Sequence, residues 1–204
     1  MLSRSGVAWL AAALVLALSL TAYAQDEPAT EPRPGGKTTT TPTSNTSESE
    51  LRRDMFVSLA VVKDFFPEVT RSTFEADATA FGKPVGTRIA NYTTNDGSKK
   101  ISLSVDQYQN PAEALFAYQD TAQKNELAEV NPIAISNVGQ QVFANTLAQG
   151  KDKRIAITSL DGTLMVTAML AGYDTTTDNI ARLADLARKE VEQAHAHVSA
   201  RRKR

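Results

Sequence analysis

The chain has 204 residues, with 22 basic against 23 acidic side chains, and this near-neutral balance leaves no broad basic surface for nucleic acid. It has no cysteine, which excludes a disulfide framework, a lipid-modified cysteine, a thiol nucleophile and a thiolate metal site. A hydrophobic fraction of 42% supplies one ordinary domain core with polar extensions.

The extensions come first. Arg4 gives a positive start, Val7 to Leu20 is an uncharged apolar run, and Ala22-Tyr23-Ala24 matches the small-x-small pattern of signal cleavage. These features predict a signal peptide over residues 1–24, with an uncleaved anchor as the alternative. An exported domain without disulfides points to a bacterial periplasmic or secreted protein. Residues 25–50 are rich in Pro, Thr, Ser and Glu and hold no aliphatic side chain larger than alanine, so they read as a disordered linker.

A single α+β domain is expected over residues 51–197. Ser47 and Glu50 have capping-box spacing, and Leu51, Met55, Leu59, Val62 and Phe66 form one helical stripe that ends at Pro67. Phe74 to Phe81 reads as a short edge strand and then a loop through Gly82, Pro84 and Gly86. Thr87–Thr94 and Lys100–Tyr108 form a hairpin around Asn95-Asp96-Gly97-Ser98. In its second strand Ile101, Leu103 and Val105 alternate with Ser102, Ser104 and Asp106, so one face is meant for water. Asn110 caps a helix that opens on Pro111 and runs to about Leu127, with Ala114, Leu115, Tyr118 and Ala122 inward. Short strands follow at Ile133–Ser136 and Gln141–Gln149, then a turn through Gly150 and Lys151-Asp152-Lys153.

The hairpin Arg154–Leu170 organises the domain. A two-residue loop at Asp161-Gly162 sets Ile157 opposite Val166 and Ile155 opposite Ala168. Thr177 or Asp178 then caps a last helix with the stripe Ile180, Leu183, Ala184, Ala187 and Val191. Asp178–Arg182 and Asp185–Lys189 are spaced to pair along its wet side. Arg88-Ile89-Ala90 and Arg154-Ile155-Ala156 precede their glycine turns at similar distances, an echo that leaves an internal duplication open.

Chemistry is sparse. His195 and His197 stand two apart on a helix and point away from each other, which does not suit one metal. Asp174 and Asp178 suit a helix N-terminus, and Asp96 and Asp161 are turn residues. Glu68, Glu75 and Asp77 lack the spacing of a calcium loop, and neither a phosphate loop nor an H-E-x-x-H motif occurs. No catalytic residue, metal site or cofactor is assigned. Trp9, the only tryptophan, sits in the signal. Tyr92, Tyr108, Tyr118 and Tyr173 are the candidate ligand-binding residues, as groove lining or as boundary residues with ring in and hydroxyl out.

The order of helix, strands, helix, strands, helix resembles small exported bacterial domains with a sheet covered by helices. Val138-Gly139-Gln140-Gln141-Val142-Phe143 is similar to a Gly-Asp-Glu-Ala-Phe/Tyr segment of such domains, with Gln140 where Asp is usual. Asp161-Gly162-Thr163-Leu164-Met165-Val166 resembles their turn and strand, and Ala181 to Val191 their closing helix. The similar domains include actinobacterial envelope proteins and the extracellular sensor domains of receptor kinases, whose cysteines this chain lacks; the broader shape resembles the PsbP/Mog1-type sandwich. The resemblance implies a binding or scaffolding role.

The expected fold is α+β: an antiparallel sheet of five to seven strands with three helices packed mainly on one face. The expected function is a non-enzymatic exported envelope module that binds an envelope protein or a small apolar ligand. A lipid or small-molecule carrier and a Ser or Asp hydrolase are the alternatives. Residues 198–204 form a basic tail, a solvated end or a peripheral contact with membrane or cell wall.

Overall fold

The computed structural model describes residues 53–76, 84–128, 130–149 and 152–201. The predicted signal, linker, capping box, Phe81-Gly82, Gly150-Lys151 and the last three residues of the basic tail lie outside the described residues. A 3-10 turn at Arg53–Met55 leads to α1 (Leu59–Phe65), β1 (Arg71–Ala76), β2 (Gly86–Thr93) and β3 (Lys100–Gln107). Then follow α2 (Pro111–Leu127), β4 (Asn131–Ile133), β5 (Gln141–Gln149), β6 (Asp152–Asp161), β7 (Leu164–Ala171) and α3 (Thr177–Arg201). The strands form one antiparallel sheet of seven in the order β1-β2-β3-β7-β6-β5-β4. This is the expected α+β class at the upper end of its strand range.

Alternation along the strands decides where the helices sit. Ile101, Leu103, Val105, Ile155, Ile157, Val166, Ala168 and Leu170 share one face and pack with α1 and α3 in the main core. Leu160, Met165 and Phe143 point the other way, where α2 covers them with Ala114, Ala117 and Tyr118. Two helices therefore lie on one face and one on the other. The echo residues also divide: Ala90 and Ile155 belong to the main core, whereas Ile89 and Ala156 alternate to the opposite face. A duplication related by a two-fold normal to the sheet keeps both closing helices on one face, so this arrangement does not carry that symmetry.

The organising hairpin is real, but its turn sits one residue later than expected. Asp161 pairs with Leu164 and the loop is Gly162-Thr163, so Ile157 faces Ala168 and Ile155 faces Leu170. Gly162 has φ +61°, the left-handed first position of a type II′ turn, and Asp161 is left in the ladder. Each partner moves by two residues, so the faces are unchanged.

The first predicted helix is broken. Phe56 and Val57 plunge into the core between the 3-10 turn and α1, and Ser58 restarts the helix by accepting a hydrogen bond from the Val61 N–H at 3.4 Å. Met55, Val62 and Phe66 still reach the same core, because the stripe's spacing survives the interruption. The last helix is capped by Thr176 rather than Thr177 or Asp178: its hydroxyl accepts from Asn179 N–H at 3.2 Å. Asp178 pairs with Arg182 as expected, whereas Asp185 pairs with Arg188, leaving Lys189 to Glu192. The fourth strand ends at its expected start, sharing only Ile133 with the expected Ile133–Ser136. β1 starts three residues before Phe74, and Gly86, Asp152 and Lys153 join strands rather than loops or turns.

The cap on α2 forms as read from the sequence. Asn110 accepts from the Glu113 N–H at 3.0 Å and donates to the Glu113 carboxylate at 2.9 Å. Asn110→Ala is expected to cost about 1 kcal/mol, read as a lower urea midpoint; an unchanged midpoint contradicts the cap's contribution.

Candidate functional site

The candidate site is a groove of about 730 Å³ beside the β1 edge of the sheet. One wall comes from Arg53 to Val61 and the other from Ser72, Thr73 and Phe74 of β1 with Ala90 and Tyr92 of β2. Its apolar lining is Phe56, Val57, Leu59, Val61, Phe74 and Ala90, and the Phe56 and Phe74 rings meet edge to face at 5.5 Å. Arg53, Asp54 and Gln193 supply polar groups.

Between the 3-10 turn and α1 the first wall is irregular backbone that cannot satisfy itself, so its polar groups are taken up by side chains from other elements. Gln193 of α3 donates to the carbonyls of Asp54 at 3.0 Å and Phe56 at 2.7 Å. The Glu190 carboxyl accepts from Val57 N–H at 3.0 Å, and the Tyr92 hydroxyl donates to the Val57 carbonyl at 2.5 Å. His197 approaches Asp54 at 3.8 Å. Glu190, Gln193 and His197 thus form one stripe on α3 behind the groove wall.

Glu190 is fully buried, and among the described residues its Oε1 has no hydrogen-bond partner. Burial pushes its carboxyl up to about 8, against the smaller opposing effect of the Val57 N–H. It is therefore largely protonated at neutral pH. The Tyr92 phenol is pushed up first by burial, then by Glu190, with Arg53 acting the other way. A second buried carboxyl, Asp106, lies on the opposite face of the sheet. It accepts from the Thr87 hydroxyl at 2.6 Å, and burial raises it to about 6 despite that bond.

The four candidate tyrosines are not brought together. Tyr92 lines the groove. Tyr108 and Tyr118 are buried on the other face, Tyr118 on α2 itself with its ring centroid 5.2 Å from that of Phe143. Tyr173 packs edge to face on Phe66 at 5.4 Å, beneath the Lys99 ammonium, which sits 4.8 Å from its ring centroid. The two histidines diverge, His195 to Asp161 and His197 toward Asp54. Asp174 pairs with Lys153, and Glu68 lies 3.8 Å from Lys99. Among the described residues no three His, Asp or Glu side chains converge as a metal site.

Sequence reading missed Glu190, yet a signal existed. Position 190 falls three after Ala187 and four before Ala194, both buried, so a charged residue interrupts the apolar stripe at a core position. Asp106 gave no such signal, since it lines up with Ser102 and Ser104 on the face expected to be wet.

No family model matches the sequence, and no curated protein does. Among the described residues no helix is long and apolar enough to cross a membrane. Among solved structures, the fold is similar to the extracellular domain of PknH from Mycobacterium tuberculosis, with TM-score 0.45 and 9% identity over 68% of this chain and 93% of that one. A GTP binding regulator from Thermotoga maritima is similar at TM-score 0.37 and 11% identity, over 65% and 89% of the two chains. At these distances neither likeness carries an argument about function.

Proposed function

We propose that the chain is an exported, non-enzymatic binding module that holds an apolar ligand in the groove between Arg53–Val61 and the β1–β2 edge. The observation that carries this reading is the groove itself. It has the volume of a small-molecule site and a mostly apolar lining, with a few polar groups at Arg53, Asp54 and Gln193. Its irregular wall is held by buried hydrogen bonds in which Glu190 accepts and Tyr92 donates, and by a part-buried one that Gln193 donates, which supports a pre-formed shape. The predicted signal and polar linker support an envelope location with the module on a tether. The buried carboxyls serve structure in this reading, because Glu190 satisfies backbone and Asp106 satisfies a threonine.

The test is a titration of the purified exported chain with the neutral fluorophore N-phenyl-1-naphthylamine. Residues 25–204 contain no tryptophan, so protein fluorescence interferes little. Saturable binding is expected, weakened about tenfold or more by Val61→Asp, which places a charge in the apolar wall. Circular dichroism on the variant confirms the fold. Absence of saturable binding to the unaltered chain sinks the reading.

A further inference from the structure

We infer that β1 is a self-pairing edge through which two copies of this chain join their sheets into one. The two ends of the sheet are built differently. The β4 end is a three-residue strand containing Pro132, which is short and lacks a donor. The β1 end has six residues and no proline, and Arg71, Ser72 and Thr73 are exposed. Among the described residues, nothing pairs with its outer side. An edge of that length presents alternate unpaired N–H and C=O groups ready for another strand.

The occupant is a second copy because β1 is complementary to itself. In an antiparallel pair related by a two-fold normal to the sheet, opposed residues must share a face, so the residue numbers of each pair sum to an even value. Centring the two-fold on Thr73 sets Arg71 of each copy opposite Glu75 of the other, twice by symmetry. Their side chains lie on the face away from α1 and α3, since Arg71 and Glu75 alternate with Phe74, which pairs with Ala90 and packs against the main core. Arg71 has no ion-pair partner among the described residues, and Glu75 uses one oxygen to accept from Asn91 at 2.7 Å, leaving the other. Opposite charges directly across a ladder stabilise pairing, whereas like charges oppose it. On the groove side the same register places the two Phe74 residues diagonally, within reach of aromatic side chains. The two apolar grooves then adjoin across the axis. The inference rests on the edge strand and its charges and holds whatever the groove binds.

Sedimentation equilibrium of the exported chain, with and without charge exchange, tests this. A dimer is expected, weakened roughly tenfold to a hundredfold by Arg71→Glu or Glu75→Arg, each of which sets like charges opposite. The double exchange Arg71→Glu with Glu75→Arg restores the opposed pairs and with them the dimer, a rescue that a folding defect does not produce. Because the chain has no cysteine, Thr73→Cys gives a clean second reading: mild oxidation links two copies at the two-fold. A chain that stays monomeric at high concentration overturns the inference. So does a dimer that ignores both single exchanges and whose Thr73→Cys variant stays unlinked on oxidation.

Discussion

The protein loses stability as pH rises from about 4.5 to 8, and Glu190→Gln removes most of that loss. The sign follows from the buried carboxyl. Unfolded, Glu190 ionises around 4.5; folded, it keeps its proton up to about 8. Between those values the unfolded state releases a proton that the folded state retains, so unfolding becomes easier with each pH unit. Across the window the cost is on the order of 4 kcal/mol, a large part of a domain's net stability. Asp106 acts with the same sign over a lower window, from 3.8 to about 6. Asp96 acts oppositely. Hydrogen bonds from Thr94 and Ser98 hold it down to about 2, so its contribution is present above its ordinary value of 3.8 and lost as pH falls toward 2.

Gln at position 190 keeps the oxygen that accepts from Val57 and carries no charge at any pH. Tyr92, Arg53, Gln193 and His197, the neighbouring groups on the other elements and on α3, are unchanged in the variant, so the difference isolates one carboxyl. Urea midpoints at pH 5 and 8 give the reading. The variant should match the parent at pH 5 and exceed it clearly at pH 8. Parallel pH profiles for the two proteins would falsify the assignment of Glu190 as a proton-holding buried acid.

Gly172→Ala should be the most damaging of the small glycine substitutions. Gly172 follows β7 with φ +78°, and a Cβ built there lies 2.1 Å from the Ser98 carbonyl oxygen, 3.2 Å from its carbon and 3.4 Å from Lys99 Cα. Those atoms are backbone of the β2–β3 turn and cannot swing aside as a side chain does. The substitution combines left-handed strain of about 1 kcal/mol with displacement of a turn, for a total of about 3 kcal/mol or more. Gly97→Ala and Gly162→Ala are the controls. Both positions have positive φ, at +69° and +61°, and nothing within 4 Å of the added carbon. Gly97→Ala should therefore lose only about 1 kcal/mol and Gly162→Ala, in a type II′ turn, about 1–2 kcal/mol, each less than Gly172→Ala. Equal losses at positions 97 and 172 would refute the close-approach argument.

The hairpins were legible because period-two alternation is a local property. Ile101, Leu103 and Val105, or Ile155 and Ile157, declare their face without help from the rest of the chain. The Asn110 cap was legible for the same reason. The turn at Gly162 was less so, since Asp161-Gly162 and Gly162-Thr163 both offer a glycine and only the sign of the backbone angles chooses between them. The break at Ser58 was hidden by a stripe that keeps its spacing through the interruption. The side taken by α2 was not written in its own residues. Ala114, Ala117 and Tyr118 make a small apolar patch that fits either face, and it was settled by Leu160, Met165 and Phe143 on strands far along the chain. The groove was least legible of all. Its wall is irregular backbone held by side chains distant in sequence, and of the four tyrosines only Tyr92 belongs to it.

That distance bears on the order of synthesis. Val57 and Glu190 are 133 residues apart, and Asp54 and Gln193 are 139. A chain made from its N-terminus exposes Phe56, Val57 and their unsatisfied backbone long before α3 exists to receive them. The hairpin β2–β3 can close early, but β7, which completes its other side, arrives late as well. Acquisition of the groove is therefore a terminal event, postponed until nearly the whole polypeptide is available. Any premature stop before Glu190 forfeits the site along with the helix.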